Sequence, residues 1–200
     1  MKFVLATQNA KKKAELSAIL HDLGVEIVTE EELGIHVDVE ENGTTFAENA
    51  ALKADAVMKA SGLPAIADDS GLCVHALGGA PGVYSARYGG EGLSDEARYR
   101  LLLRALAGQT DRSAHFETAV CCAFPNGDHL AANGECRGSI AFSPMGTNGF
   151  GYDPVFFVTE QRKTFAQLTA EEKAAISHRG NALRAFRAAL EAYLKENPEG

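Results

Sequence analysis

The residues of this chain that are able to do chemistry fall into five short stretches. Asp68-Asp69-Ser70-Gly71 sets two carboxylates side by side after the apolar run Ala65-Ile66-Ala67. Adjacent carboxylates in such a place are costly unless solvated, capped or bound to a cation. Hard oxygen donors of this kind suit magnesium, which is held by one or two carboxylates and completed by water and phosphate oxygens. An Asx-turn or capping role is the alternative for at least one of them, and the pair reads as one structural and one catalytic aspartate. Glu40 and Glu41 are acidic partners from another part of the chain, and alone they read as a solvated turn.

Thr7, Asn9 and Lys12 lie where the first apolar run gives way to a helical pattern. In α/β proteins ligands bind at the carboxyl ends of strands, and the N-terminus of the next helix attracts anions. Hydroxyl, amide and ammonium groups there can hold a triphosphate. They can equally be an ordinary polar turn, since the spacing is not that of a P-loop and lacks its glycines. Gly149-Phe150-Gly151-Tyr152-Asp153-Pro154 combines backbone freedom, two aromatics and a carboxylate, which makes either a flat wall for a base or a tight inter-strand loop. Ser177-His178-Arg179-Gly180 interrupts a helical pattern, either to present donors to an acceptor-rich ligand or to join two helices.

The elements that must position these stretches can be read from periodicity and punctuation. Residues 2–6 predict a buried strand, followed by a helix carrying Leu16, Ile19, Leu20 and Leu23 and ended by Gly24, then a strand over 25–28. Thr45 with Glu48 forms a capping-box pattern that opens a helix running to about Ser61, stopped by Gly62 and Pro64. A short strand over 65–67 delivers the two aspartates, and residues 72–77 continue as strand. Ser94 starts a helix with Asp95 and Glu96 in its positive first turn, and Gly108 closes it. Residues 115–124 and 129–136 read as a hairpin across Pro125-Asn126-Gly127-Asp128, with 137–142 extended as well. A glycine-rich loop over 146–153 precedes a strand over 154–158. Thr169 with Glu172 is a second capping box, and Leu183, Phe186, Leu190, Tyr193 and Leu194 form the apolar stripe of a C-terminal helix.

This order predicts an α/β fold with a long mixed central sheet flanked by helices. It also predicts that residues 1–200 form a single domain without a linker, with two lobes around a central cleft. Two hundred residues with 46% hydrophobic content can bury one sizeable core, or two lobes sharing a sheet. A net charge of −8 argues against a nucleic-acid-binding face, though a locally basic pocket can still take a small anion. No apolar run approaches the roughly 20 residues that span a bilayer. The N-terminus is apolar for only a few residues, as a first strand and not a secretory signal. The four cysteines lack CxxC spacing and read as small apolar residues in a reducing cytoplasm.

Taken together, the stretches resemble the inosine/xanthosine triphosphate pyrophosphatase family. The resemblance covers nearly the whole chain. It rests on Thr7-x-Asn9-x-x-Lys12, Thr45-Phe46-x-Glu48-Asn49-Ala50-x-x-Lys53-Ala54, and Ala67-Asp68-Asp69-Ser70-Gly71-Leu72. It continues with Gly79-x-Pro81-Gly82-Val83-Tyr84-Ser85-Ala86-Arg87-Tyr88, Gly149-Phe150-Gly151-Tyr152-Asp153-Pro154, and Glu172-Lys173-x-x-x-Ser177-His178-Arg179. The resemblance implies a homodimer that converts inosine, deoxyinosine and xanthosine triphosphates to monophosphate and pyrophosphate. It implies that Thr7, Gln8, Asn9, Ala10, Lys11, Lys12 and Lys53 hold phosphates, and that Glu41 and Asp69 bind Mg2+. Asp69 would also activate water, Ser70 would contact substrate, and Phe150, Gly151, Tyr152, Asp153, Lys173, His178 and Arg179 would build the nucleotide and base pocket. A pyrophosphatase for modified pyrimidine triphosphates and a non-catalytic nucleotide sensor are the rival readings. A Nudix hydrolase lacks its glutamate-rich helix here.

Overall fold

The computed structural model describes residues 1–7 and 10–197. The opening apolar run forms β1, Lys2–Leu5, with Phe3, Val4 and Leu5 buried. The chain then enters α1, Ala10–Leu20, tightens into a 3-10 turn over His21–Leu23, and reverses at Gly24, whose φ of 68° is open to glycine at no steric cost. It returns as β2, Glu26–Thr29, parallel to β1 with Val4 opposite Val28. The helix α2, Phe46–Ser61, has the predicted capping box: Thr45 Oγ1 accepts from Glu48 N at 3.1 Å, and Glu48 Oε2 accepts from Thr45 N at 3.2 Å. A reciprocal pair of this kind satisfies two of the helix's orphan donors.

The strand β3, Ala65–Val74, lies parallel to β1 on its other side. Next come α3, Asp95–Ala105, capped by Ser94, then β4, Ser113–Ala123, and β5, His129–Ile140. Two short strands follow, β6, Phe156–Val158, and β7, Lys163–Thr164, with β5–β6 and β6–β7 antiparallel. The helix α4, Ala170–Ile176, and the helix α5, His178–Glu196, complete the chain. One mixed seven-stranded sheet results, in the order β2-β1-β3-β4-β5-β6-β7.

Three expectations change. The strand over 65–67 does not stop at the aspartates: β3 runs through them to Val74, and a 3-10 turn over His75–Leu77 replaces the last residues expected as strand. Partners from distant elements compensate the two carboxylates, so the strand need not break to expose them. The separate extended segment over 137–142 is the end of β5. The apolar strand over 154–158 begins only at Phe156, because the turn that holds Asp153 continues through Val155.

The chain divides into two compact units. The first comprises Met1–Asp69, Thr118–Gly134 and Asn181–Gly200, and the second Ser70–Glu117 and Glu135–Gly180. Each has its own core. In the first, Phe3, Leu16, Leu20, Ile66, Phe124, Phe186 and Leu190 pack together. In the second, Leu72, Leu102, Phe116, Ile140, Phe156 and Phe165 do so. No helix among the described residues is long and apolar enough to cross a membrane.

Candidate active site

In the first unit, β3 alternates, so Asp68 and Asp69 point to opposite faces of the sheet. Each meets a different lysine. Asp68, almost wholly buried, accepts from Lys12 Nζ of α1 at 2.8 Å. Asp69 accepts from Lys53 Nζ of α2 at 3.4 Å and from Asn49 Nδ2 at 3.2 Å. Lys53 also reaches Glu41 Oε2 at 3.3 Å, so one ammonium spans two carboxylates from separate segments. Asn49 is 1% exposed and its Oδ1 accepts from Gly43 N at 2.8 Å, which turns its amino group toward Asp69. A β-carbon at position 43 would lie 2.6 Å from that same Oδ1, so glycine is what lets the two approach.

Burial pushes the Asp69 carboxyl above the ordinary aspartate value, against the pull of Lys53 and the Asn49 hydrogen bond; the Glu41 charge adds to the rise. A carboxylate held this way gains from any further positive charge.

In the second unit, residues 149–153 make a loop closed on itself. Asp153 is 2% exposed, and its Oδ2 accepts from Phe150 N at 2.9 Å and from Lys173 Nζ at 2.5 Å. Gly149 has φ 77°, and a β-carbon there would lie 1.9 Å from Asp153 Oδ2; only glycine allows this closure. Tyr152 is buried and donates its hydroxyl to Ser85 O at 2.8 Å. The Phe150 ring, in contrast, is 75% exposed, with Lys173 Nζ 4.8 Å from its centroid. Burial pushes the Asp153 carboxyl up as well, although Lys173 opposes it.

The joint between α4 and α5 links the two helices through a single extended residue. Ser177 is extended, with ψ of 154°, and its Oγ accepts from Gly180 N at 3.1 Å, capping α5. His178 and Arg179 therefore occupy the first turn of a 19-residue helix, at its positive end. The His178 ring stacks on Phe116 at 4.6 Å between centroids and lies 6.2 Å from Phe165.

The sequence matches the model of the Ham1 family over residues 3–189. The chain belongs to the Ham1 family. A dITP/XTP pyrophosphatase of Thermus thermophilus is 51% identical over 200 residues, covering 99% of this chain and 94% of that protein. A dITP/XTP pyrophosphatase of Shigella flexneri is 51% identical over 193 residues, covering 94% of this chain and 98% of that one. The Ham1 protein of Staphylococcus aureus, a solved structure, has a TM-score of 0.89 at 44% identity, covering 98% of this chain and 100% of its own.

Within this Ham1 chain the anticipated residues divide between the units. Lys12, Glu41, Lys53 and Asp69 belong to the first. Thr7 follows β1 in the same unit, its N–H bonded to Leu5 O at 2.8 Å. Gln8 and Asn9 lie outside the described residues, and Ala10 and Lys11 enter only as the first backbone residues of α1. Of the adjacent glutamates, Glu41 faces Lys53 while Glu40 is exposed. Ser70 is exposed in β3. Phe150, Gly151, Tyr152, Asp153, Lys173, His178 and Arg179 belong to the second unit, where Lys173 is engaged by Asp153.

Two residues were not anticipated as site residues. Asn49 supports Asp69, and the capping box carried a signal for it, since Thr45 and Glu48 fix which residue lies one position past the first turn. Ser85, which accepts from Tyr152 through its carbonyl, gave no local signal. Glu41 and Asp69 offer carboxylate oxygens of the kind magnesium takes, about one shared ammonium, and among the described residues no group of three or more His, Cys, Asp or Glu could hold a metal ion by itself. Water and phosphate would supply the other positions, as they do for this ion.

Proposed function

We propose that this chain hydrolyses inosine, deoxyinosine and xanthosine triphosphates to the monophosphate and pyrophosphate, acting as one catalytic domain. The carrying observation is Asp69, partly buried beside Glu41 and Lys53 and held by Asn49. Relatives named dITP/XTP pyrophosphatase at about half identity over nearly the whole chain support the substrate class. In this reading Glu41 and Asp69 hold Mg2+, which would neutralise phosphate oxygens and acidify a bound water. Lys12 and Lys53, with Thr7, Gln8, Asn9, Ala10, Lys11 and Ser70, bind the phosphate end. Asp69 orients the attacking water and accepts its proton, while Asp68 keeps Lys12 in place.

The base end belongs to Phe150, Gly151, Tyr152, Asp153, Lys173, His178 and Arg179. The exposed Phe150 ring offers a stacking face, and His178 and Arg179 supply donors for the 6-oxo group of a hypoxanthine or xanthine base. Adenine presents a donor at that position and leaves those groups unpaired, a mismatch that can cost up to ~10⁴–10⁵-fold in selectivity. Supplied with inosine triphosphate and magnesium, the protein should release pyrophosphate and inosine monophosphate. Orthophosphate as first product sinks the reading. A homodimer, measurable by light scattering, and a cytoplasmic setting beside the nucleotide pool complete it.

A further inference from the structure

We infer that Asp95 is a positioning residue that anchors the base-facing loop 149–153; this rests on the function proposed above. Asp95 is the first residue of α3, but the helix is already capped: Ser94 Oγ accepts from Ala97 N at 3.2 Å. The Asp95 carboxylate is thereby released for another task. Its Oδ2 accepts from Gly151 N at 2.7 Å, across 56 residues of sequence. Its Oδ1 lies 3.7 Å from Arg98 Nη1. Arg98 is 7% exposed, with Nη2 donating to Gly90 O at 3.5 Å, and among the described residues its Nε has no hydrogen-bond partner. The buried guanidinium thus holds the carboxylate from one side while the loop amide holds it from the other.

The loop explains why this bond matters. Gly149 and Gly151 both have positive φ, 77° and 61°, a conformation glycine adopts without strain but at a larger ordering cost than other residues, so this stretch depends on its tethers. Asp153 ties Phe150 N from inside the loop, and Ser85 ties the Tyr152 hydroxyl. Gly151, between them, has no side chain, and its N–H goes to Asp95. The bond therefore fixes the residue that follows the exposed ring and sets the angle at which that ring meets a base. Loosening it makes the protein order the loop on binding, a cost that falls on substrate affinity and not on the chemical step.

The test compares Asp95→Ala, Asp95→Asn and Glu96→Gln, the last removing the neighbouring first-turn charge, whose side chain pairs with Arg100. With inosine triphosphate and magnesium, Asp95→Ala should raise KM about 5- to 10-fold, as loss of a partly exposed charge-assisted bond implies, with kcat within about twofold. Asp95→Asn keeps an amide oxygen for Gly151 N–H and should recover most of the loss, whereas Glu96→Gln should match the parent. Hydrogen exchange at the Gly151 amide should quicken in Asp95→Ala alone. An unchanged KM, an unchanged exchange rate, or an equal KM rise in Glu96→Gln overturns the inference. Failure of the proposed function shows separately, as absence of pyrophosphate from the parent protein, and Gly151 exchange still judges the anchor in that case.

Discussion

Lys53 in the first unit and Lys173 in the second each face an aspartate, and these two pairings are opposite in kind. In the first, Lys53 lies 3.3 and 3.4 Å from two carboxylates, long against the ~2.7–2.9 Å of a tight charge-assisted bond. Its side chain is 18% exposed and that of Glu41 35%, so water and a small ion can reach the group. In the second, Lys173 meets Asp153 at 2.5 Å, and the carboxylate is closed off by the loop it organises. A loose, shared ammonium is an exchangeable counter-charge. A tight, buried one is a structural bolt. Exposure and the number of partners decide between them, not the identity of the residues.

Substitutions can break this contrast. The largest effect is expected at Asp69: Asp69→Asn should lower kcat by about 10³-fold, within the range for removing a general base, with the fold retained. Retention matters because burial already disfavours the charged form, so a neutral isostere costs the unfolding equilibrium little. Thermal melting beside steady-state rates checks both, and near-normal turnover would remove Asp69 from its role. Next, Lys53→Ala should reduce kcat/KM by about 10²-fold through loss of a positive group facing developing charge. If Lys173→Ala does the same without unfolding the loop, the distinction between the two lysines fails.

Smaller effects sharpen the second unit. Phe150→Ala should raise KM by about 10-fold while leaving kcat near the parent value, since base–aromatic stacking contributes ~1–3 kcal/mol. A pure kcat effect would take Phe150 out of base binding. The smallest concerns Asp153, whose folded-state pKa is raised chiefly by burial. Below the ordinary value of 3.8 the carboxyl is neutral in both folded and unfolded states; above the raised value the folded chain carries a buried charge that the unfolded chain does not mind. The parent should therefore lose stability relative to Asp153→Asn as pH rises from below 3.8 through the raised folded-state value. Chemical denaturation of both proteins across that range measures the sign.

Much of the frame is legible in the sequence alone. The two capping boxes, at Thr45 and Thr169, and the stop at Gly62 act within a single turn, so the local residues suffice to define them. The mixed α/β order followed from where periodicity changed. The continuity of β3 was hidden, because Ser70 and Gly71 suggest a turn and the groups that let Asp68 and Asp69 stay in a strand lie 16 to 56 residues away. For the same reason Asp95 read as a helix-dipole residue: its partner Gly151 belongs to another stretch altogether. Side chains that act on their own turn can be read from sequence, whereas those that act across the fold wait for the topology.

The alternation at Asp68 and Asp69 carries a consequence for how this chain can vary among its relatives. Two positions joined by one peptide bond answer to separate neighbourhoods. In a deep set of aligned relatives, changes at 68 should track changes at 12, and changes at 69 should track those at 49 and 53, with little correlation between 68 and 69 themselves.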